Sequence, residues 1–223
     1  MKIWNQSSKD KNTAIDNFLS SEDIVLDQEL FLYDIEASIA HAHELENINI
    51  LTKSETKKVI VSLKKLAKLF LSKKFKLTSK YEDCHSAIED YLTKELGSVG
   101  KKIHTGRSRN DQVMVAMRLY ARAKLDEIQS MNLKIAQSFF DKAEKHSSDP
   151  MPGYTHLQRA MPSTWGLWFG AFTESFLDNA DLLSSTQTWM NINPLGSAAG
   201  YGVNLPIKRD ISTKELNFKR KQL

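Results

Sequence analysis

Between Gly100 and Val113 the chain reads Gly-Lys-Lys-Ile-His-Thr-Gly-Arg-Ser-Arg-Asn-Asp-Gln-Val. Thr105, Arg107, Ser108, Arg109 and Asn110 crowd around one flexible residue, Gly106, directly ahead of a long helical pattern. Free backbone N–H groups, the positive end of a helix dipole and guanidinium forks together suit a small polyanion bearing carboxylates. The same residue types also make a plain polar helix cap, and for this stretch alone both readings stand.

Two further polar loops carry histidines. In Tyr154-Thr155-His156-Leu157-Gln158 the imidazole sits among hydrogen-bonding side chains in a loop flanked by Pro152 and Gly153. General acid–base work or a substrate contact suits it, as does a structural turn. In Glu82-Asp83-Cys84-His85 the histidine falls in the first turn of a helix, where the dipole disfavours protonation and leaves a neutral ring. Ile88 and Leu92 share its face, so a core histidine fits as well as a site residue. Cys84 and His85 are adjacent and should diverge on a helix, so no thiolate–imidazole pair is expected.

Other chemistries lack their patterns. His41 and His43 point to nearly opposite sides of a helix, and no His/Cys/Asp group has zinc spacing, so no metal is expected. Gly97-Ser98-Val99-Gly100-Lys101-Lys102 has the wrong glycine spacing for a P-loop, and no strand precedes Gly200-Tyr201-Gly202. No cofactor is expected.

The elements that must position these loops are helices. Leu26, Leu30, Tyr33, Ala37 and Ala40 hold one apolar stripe, with Leu32, Ile35, Ile39 and Ala42 a second, which predicts a helix covered on two sides. Thr52-Lys53-Ser54-Glu55 is a capping box that starts a helix with Val59, Leu63, Leu66 and Phe70 inward and its lysines solvated. A third helix is predicted from about Glu82 to Leu96, stopped by Gly97. From Asp111 to Lys145 there is neither Gly nor Pro, and Met117, Ala121, Leu125, Ile128, Met131, Ile135 and Phe139 keep one stripe. A helix of that length needs partners all along it, which argues for a bundle.

Pro150 and Pro152 end that helix, and another begins near Pro162, apolar nearly all round, with Gly166 and Gly170 four apart for close helix approach. After about Met190 the chain reads as loop, with a new helical pattern near Ser212 that looks interrupted. Residues 1 to about 20 read as a polar, loosely held arm. No strand pattern exceeds a few residues, and the fold class is all-α. The expected division is a helical N-terminal domain over residues 1–106 and an incomplete long-helix bundle over 107–223.

The 223 residues suffice for a sizeable core, and their apolar and charged fractions are ordinary for a folded chain. Net charge is +4 with lysines and arginines dispersed, and the aromatics lie on apolar helix faces, so nucleic acid is not an expected partner. One cysteine, no apolar leader and no apolar run of membrane length suggest a reducing, cytoplasmic location without membrane attachment.

Four segments now fall into one pattern: Glu82–His85, Gly100–Val113, Pro152–Gln158 and Asn193-Pro194-Leu195-Gly196-Ser197. With Asp27, Asp34-Ile35 and Ser38–Ala42 upstream they closely resemble the argininosuccinate lyase family, of the fumarase/aspartase superfamily that includes the δ-crystallins. The resemblance implies a helical N-terminal domain, a domain of long helices that assembles four subunits, and sites built from several copies. It implies cofactor-free cleavage of argininosuccinate to arginine and fumarate. Carried over by position, Arg107, Ser108, Asn110 and Thr155 would contact substrate, with Gln158 beside them. His156 would be the catalytic histidine and His85 a supporting one.

The departures bear on function. The family's Gly-Ser-Ser-x-Met-Pro-x-Lys-x-Asn-Pro loop, which carries a serine base and a lysine, is not among these residues, and neither is a C-terminal domain. Ala116 stands where relatives usually carry an acid, and Asp23 stands near a position where many have a substrate-contacting serine. Two expectations follow: a lyase completed by further chain, with the isolated 223 residues inactive, or a non-catalytic association module of the same superfamily.

Overall fold

Helices begin where the periodicity does, in a computed structural model that describes residues 22–222. The polar arm expected over residues 1 to about 20 lies outside the described residues. α1 (Asp23–Asn47) buries Leu30, Ile35, Ala37, Ala40 and Ala42, so it is covered on two sides as its double stripe predicts. Leu26, at the start of the stripe, is exposed.

α2 (Lys53–Leu71) starts on the predicted capping box: Thr52 Oγ1 accepts from the Glu55 amide, and Glu55 Oε2 accepts from the Thr52 amide at 2.8 Å. Lys102 Nζ donates to the other Glu55 oxygen at 2.7 Å, and that bond, with the Thr52 amide, pulls the Glu55 carboxyl down to about 2. α3 (Cys84–Leu96) takes Asp83 as its N-cap and ends at Gly97, whose φ of 60° suits glycine. A short α4 (Ser98–Lys101) and a 3₁₀ turn (Lys102–His104) follow. Gly100 is required there, because a Cβ would lie 2.2 Å from the Leu92 carbonyl oxygen.

α1, α2 and α3 pack on one another around Phe31, Leu45, Leu63, Leu66, Ile88 and Leu92. The Phe31 ring lies 4.4 Å from Phe70 and 5.6 Å from Phe75. The chain divides into two compact units, one holding the residues up to Tyr120 and from Asn191 onward, the other Ala121–Met190.

α5 (Arg109–Lys145) gives its first turns to the first unit, where Val115 and Leu119 join Ala37, Ala40, Leu195, Leu216 and Phe218 in a second apolar cluster. The segment after Met190 is more structured than its loop-like sequence suggests. β5 (Ile192–Asn193) pairs in parallel with β6 (Arg220–Lys221), and α7 (Asp210–Glu215) packs on α1. Arg209 ties this segment together by donating to the carbonyls of Leu195, Asn193 and Gln222.

In the second unit α5 continues, and α6 (Trp165–Met190) follows a short connection in which β1 (Pro150–Met151) pairs antiparallel with β4 (Ser163–Thr164). Phe139 stacks on Phe172 and Phe176 at 5.1 and 5.8 Å. Gly166 permits a close helix approach, since a Cβ would meet Ser147 Cα at 2.5 Å. Gly170 faces open space, so the approach expected of both glycines is made by one. Ile128, Met131 and Ile135 of the α5 stripe stay exposed, as do Leu167, Leu182 and Trp189 of α6. No described helix is long and apolar enough to cross a membrane.

Candidate active site

The anion-suited loop is a turn fixed from three sides. Thr105 and Gly106 form its corner, with φ of −58° and ψ of 127° at Thr105 and φ of 74° at Gly106, and the Arg107 amide closes it onto the His104 carbonyl. Those angles define a type II turn, which calls for glycine at its third position. Asp111, in the first turn of α5, then works in both directions. One oxygen accepts from the Ser108 amide at 2.9 Å, and the other from the amides of Gly196 and Ala198 at 2.8 and 3.0 Å. The side chains left for the outside are those of Asn110, which is exposed, and of Ser108, which is half-buried.

Arg107 turns the other way. It is buried, and its Nη1 donates to Ser38 Oγ at 3.0 Å, while Asp34, Glu89, Asp111 and Glu44 offset its charge. Arg109 pairs with Asp83, the α3 cap, and so ties the loop to the helix that carries His85. Burial pushes the Asp83 carboxyl up, but Arg109 and the Ser86 amide outweigh it and hold it below its ordinary value.

His85 is buried beneath this loop, with Nδ1 2.7 Å from Asp34 Oδ2. Gln112 Nε2 donates to the same carboxylate at 3.1 Å. Burial drives the His85 pKa down, yet the Asp34 charge and hydrogen bond prevail and raise it. The neutral ring expected from the helix dipole is therefore corrected: a buried carboxylate at contact distance outweighs partial charges at a helix end. For Asp34, burial raises the pKa, and His85, Arg107 and Gln112 together hold it low.

A second correction concerns Cys84. Its Sγ lies 3.7 Å from His85 Nδ1 despite the adjacent positions, because both side chains turn inward around Asp34. Asp34, Cys84 and His85 thus bring ligand-type atoms within 4.8 Å of one another, a grouping that linear spacing does not reveal. The thiol is nevertheless unreactive by environment: burial, with Asp34, Asp27 and Asp83 around it, pushes its pKa far up.

The other histidine loop belongs to the second unit. β2 (Tyr154–Thr155) and β3 (Gln158–Arg159) form a hairpin with His156 and Leu157 at its tip, at φ of 50° and 61°. Two consecutive non-glycine residues at positive φ are strained, and such strain collects at functional turns. Thr155 Oγ1 lies 2.6 Å from His156 Nδ1, and Thr155, His156 and Gln158 are all exposed. Thr155 fixes one ring nitrogen and leaves Nε2 to face outward.

Sequence reading alone overlooked the supports: Asp34 as the partner of His85, Gln112 on that carboxylate, and Asp111 as the loop's anchor. Asp111 had a local signal, an acid in a helix's first turn. The others are visible only once distant turns of helix meet.

Packed helices that hold such a polar loop near a buried His–Asp pair place the chain with the helical proteins of the fumarase/aspartase superfamily, as the comparisons show. The Lyase_1 family, described as lyase, matches residues 6–222, and the chain belongs to it. Argininosuccinate lyase of Xanthomonas euvesicatoria pv. vesicatoria is 47% identical over 218 residues, 98% of this chain and 50% of the relative. That of Xylella fastidiosa is 45% identical over 99% of this chain and 50% of its own length. The chain thus spans about half the length of the curated relatives it matches, and corresponds to their N-terminal portion. Among solved structures, an EDDS lyase variant with bound fumarate superposes with a TM-score of 0.80 at 28% identity, over 89% of this chain and 39% of that one. A fumarate lyase:delta crystallin of Brucella melitensis, 18% identical over 95% of this chain and 51% of that one, has a TM-score of 0.74 and shares the fold.

Proposed function

We propose that these 223 residues supply the substrate-anchoring portion of an argininosuccinate lyase, acting in arginine biosynthesis in the cytoplasm. The reaction is a β-elimination. A base takes a proton from the succinyl carbon next to the one bearing nitrogen, the electron pair is held as an aci-carboxylate, and the C–N bond then breaks. Fumarate and arginine leave, with a proton returned to the departing guanidino nitrogen.

Such a path needs fixed donors where carboxylate charge develops. The observation that carries the reading is the loop held by Asp111 and Gly106 with Ser108 and Asn110 left outward. In this reading Ser108, Asn110, Thr155 and Gln158 contact the substrate. Arg107 lends its charge from beneath the loop, His156 moves a proton, and His85 supports from below. No cofactor takes part. The bundle domain over residues 107–223 associates as a homotetramer when the chain is continued, and neighbouring copies complete each site.

The serine-bearing loop of the family is not among these residues, so the 223-residue chain alone is expected to release no fumarate from argininosuccinate above buffer, read by absorbance. A fusion of these residues to the remaining part of one of the curated relatives is expected to release it. Asn110→Ala in that fusion should lower kcat/KM by about 10²-fold, as expected for one lost donor at a developing oxyanion. A folded, assembled fusion without turnover would overturn the lyase reading and favour a non-catalytic association module, which the exposed apolar residues of α5 and α6 would also suit.

A further inference from the structure

The turn at Thr105–Gly106 has a partner with no role assigned so far. His41, on α1, is fully buried, and its Nε2 lies 2.9 Å from the Thr105 carbonyl oxygen. That carbonyl belongs to the central peptide of the type II turn. The central peptide is what distinguishes type II from type I, in which it is rotated to face the other way. A donor aimed at it therefore selects one turn over the other. Gly106 supplies the conformational freedom for that orientation, and a fixed N–H supplies the preference.

The other ring nitrogen settles the proton count. His41 Nδ1 is 3.0 Å from Glu44 Oε2, and both side chains are fully buried. Thr105 offers only an acceptor, so Nε2 must carry hydrogen. With Nε2–H engaged, the contact to Glu44 needs a second proton, held either by Nδ1 or by the carboxyl. Burial draws the His41 pKa down despite Glu44, and in either arrangement Nε2–H stays committed to the Thr105 carbonyl.

We propose that His41, with its Nδ1 held by Glu44, is a positioning residue that locks the Thr105–Gly106 peptide and thereby holds Ser108 and Asn110 in place for an anionic ligand. The role attached to the ligand rests on the lyase reading above; the lock itself does not.

The two amides that resemble halves of imidazole separate this role from packing. The Gln side chain places its NH₂ near the Nε2 position and can still reach Thr105, whereas Asn places it near Nδ1 and cannot. Hydrogen exchange of residues 104–112, followed by mass spectrometry on the 223-residue chain, should quicken about tenfold or more in His41→Asn, the loss expected for one buried hydrogen bond. Exchange in α2 should not change. His41→Gln should keep the slow rate, and so should Glu44→Gln, whose amide can donate to Nδ1 and leave the hydrogen on Nε2 for Thr105. Equal exchange in all variants, or a rise in α2 that His41→Gln shares, would overturn the lock. Should His41→Asn fail to fold, ¹⁵N-histidine labelling of the unmodified chain decides: a protonated Nε2 supports the lock, and a bare Nε2 refutes it.

In the active fusion, His41→Asn should raise KM more than it lowers kcat, and His41→Gln should reverse the effect. If the unmodified fusion has no activity, the lyase reading fails, and the exchange measurements still decide the lock by themselves.

Discussion

His85 and Asp34 face each other with almost no contact to water, so each is worth little without the other. Replacing one partner of such a pair strands a buried charge, and His85→Leu should destabilise the first unit by about 3–5 kcal/mol in urea unfolding. The pH dependence follows from the two shifts. The raised His85 pKa contributes stability that is whole below the unfolded imidazole value, about 6.5, and is lost as pH climbs through the folded value. The lowered Asp34 pKa contributes stability present above the unfolded carboxyl value, about 3.9, and lost as pH falls through the folded one. Stability should therefore plateau between about pH 4 and 6.5 and decline on either side, and Asp34→Asn should flatten both limbs. Beside this pair, Cys84 should stay unmodified by a disulfide reagent in the folded chain and react at once in urea, because its thiol is buried among carboxylates.

At the level of elements, what the residue pattern foretold and what it hid separate by sequence distance. The capping box at Thr52, the stop at Gly97 and the inward stripes of α1 and α2 all depend on residues within a turn or two of one another, and apart from the exposed Leu26 that opens the α1 stripe they appear as their spacing predicts. The partners of His85, His41 and Ser38 lie 51, 64 and 69 positions away, so no local period could disclose them. The same holds for the parallel pairing of Ile192 with Arg220. Local and distant constraints can be tested against each other. Thr52→Ala removes one cap and should cost about 1 kcal/mol. Gly100→Ala drives a Cβ into the Leu92 backbone, which has no side chain to move aside. It should cost at least about 1–3 kcal/mol, as overpacking does, and shift the 3₁₀ turn that leads into the anion-suited loop. Thermal melts with far-UV circular dichroism read both.

For the chain as a whole, much apolar surface of the second unit stays uncovered among the described residues. Ile128, Met131, Leu133, Ile135 and Phe140 of α5 stay exposed, as do Leu167, Trp168, Phe172, Leu177, Leu182 and Trp189 of α6, all within Ala121–Met190. Single exposed apolar residues need no explanation, but this many on two helices is more than a lone folded chain ordinarily leaves in water. The sequence periodicity asks for partners along the long helix, and among the described residues Phe139 packs against α6 while Ile128 and Met131 stay exposed. Burial between copies would relieve the rest at roughly 25 cal/mol per Å². The isolated chain should accordingly self-associate, with sedimentation shifting to larger species as concentration rises and the melting temperature rising with it. Met131→Lys with Leu182→Lys should shift the sedimentation profile toward smaller species. The first unit should be left intact, because neither residue belongs to it. A sharply melting monomer whose sedimentation does not change with concentration would show instead that these helix faces are stable in water as they stand.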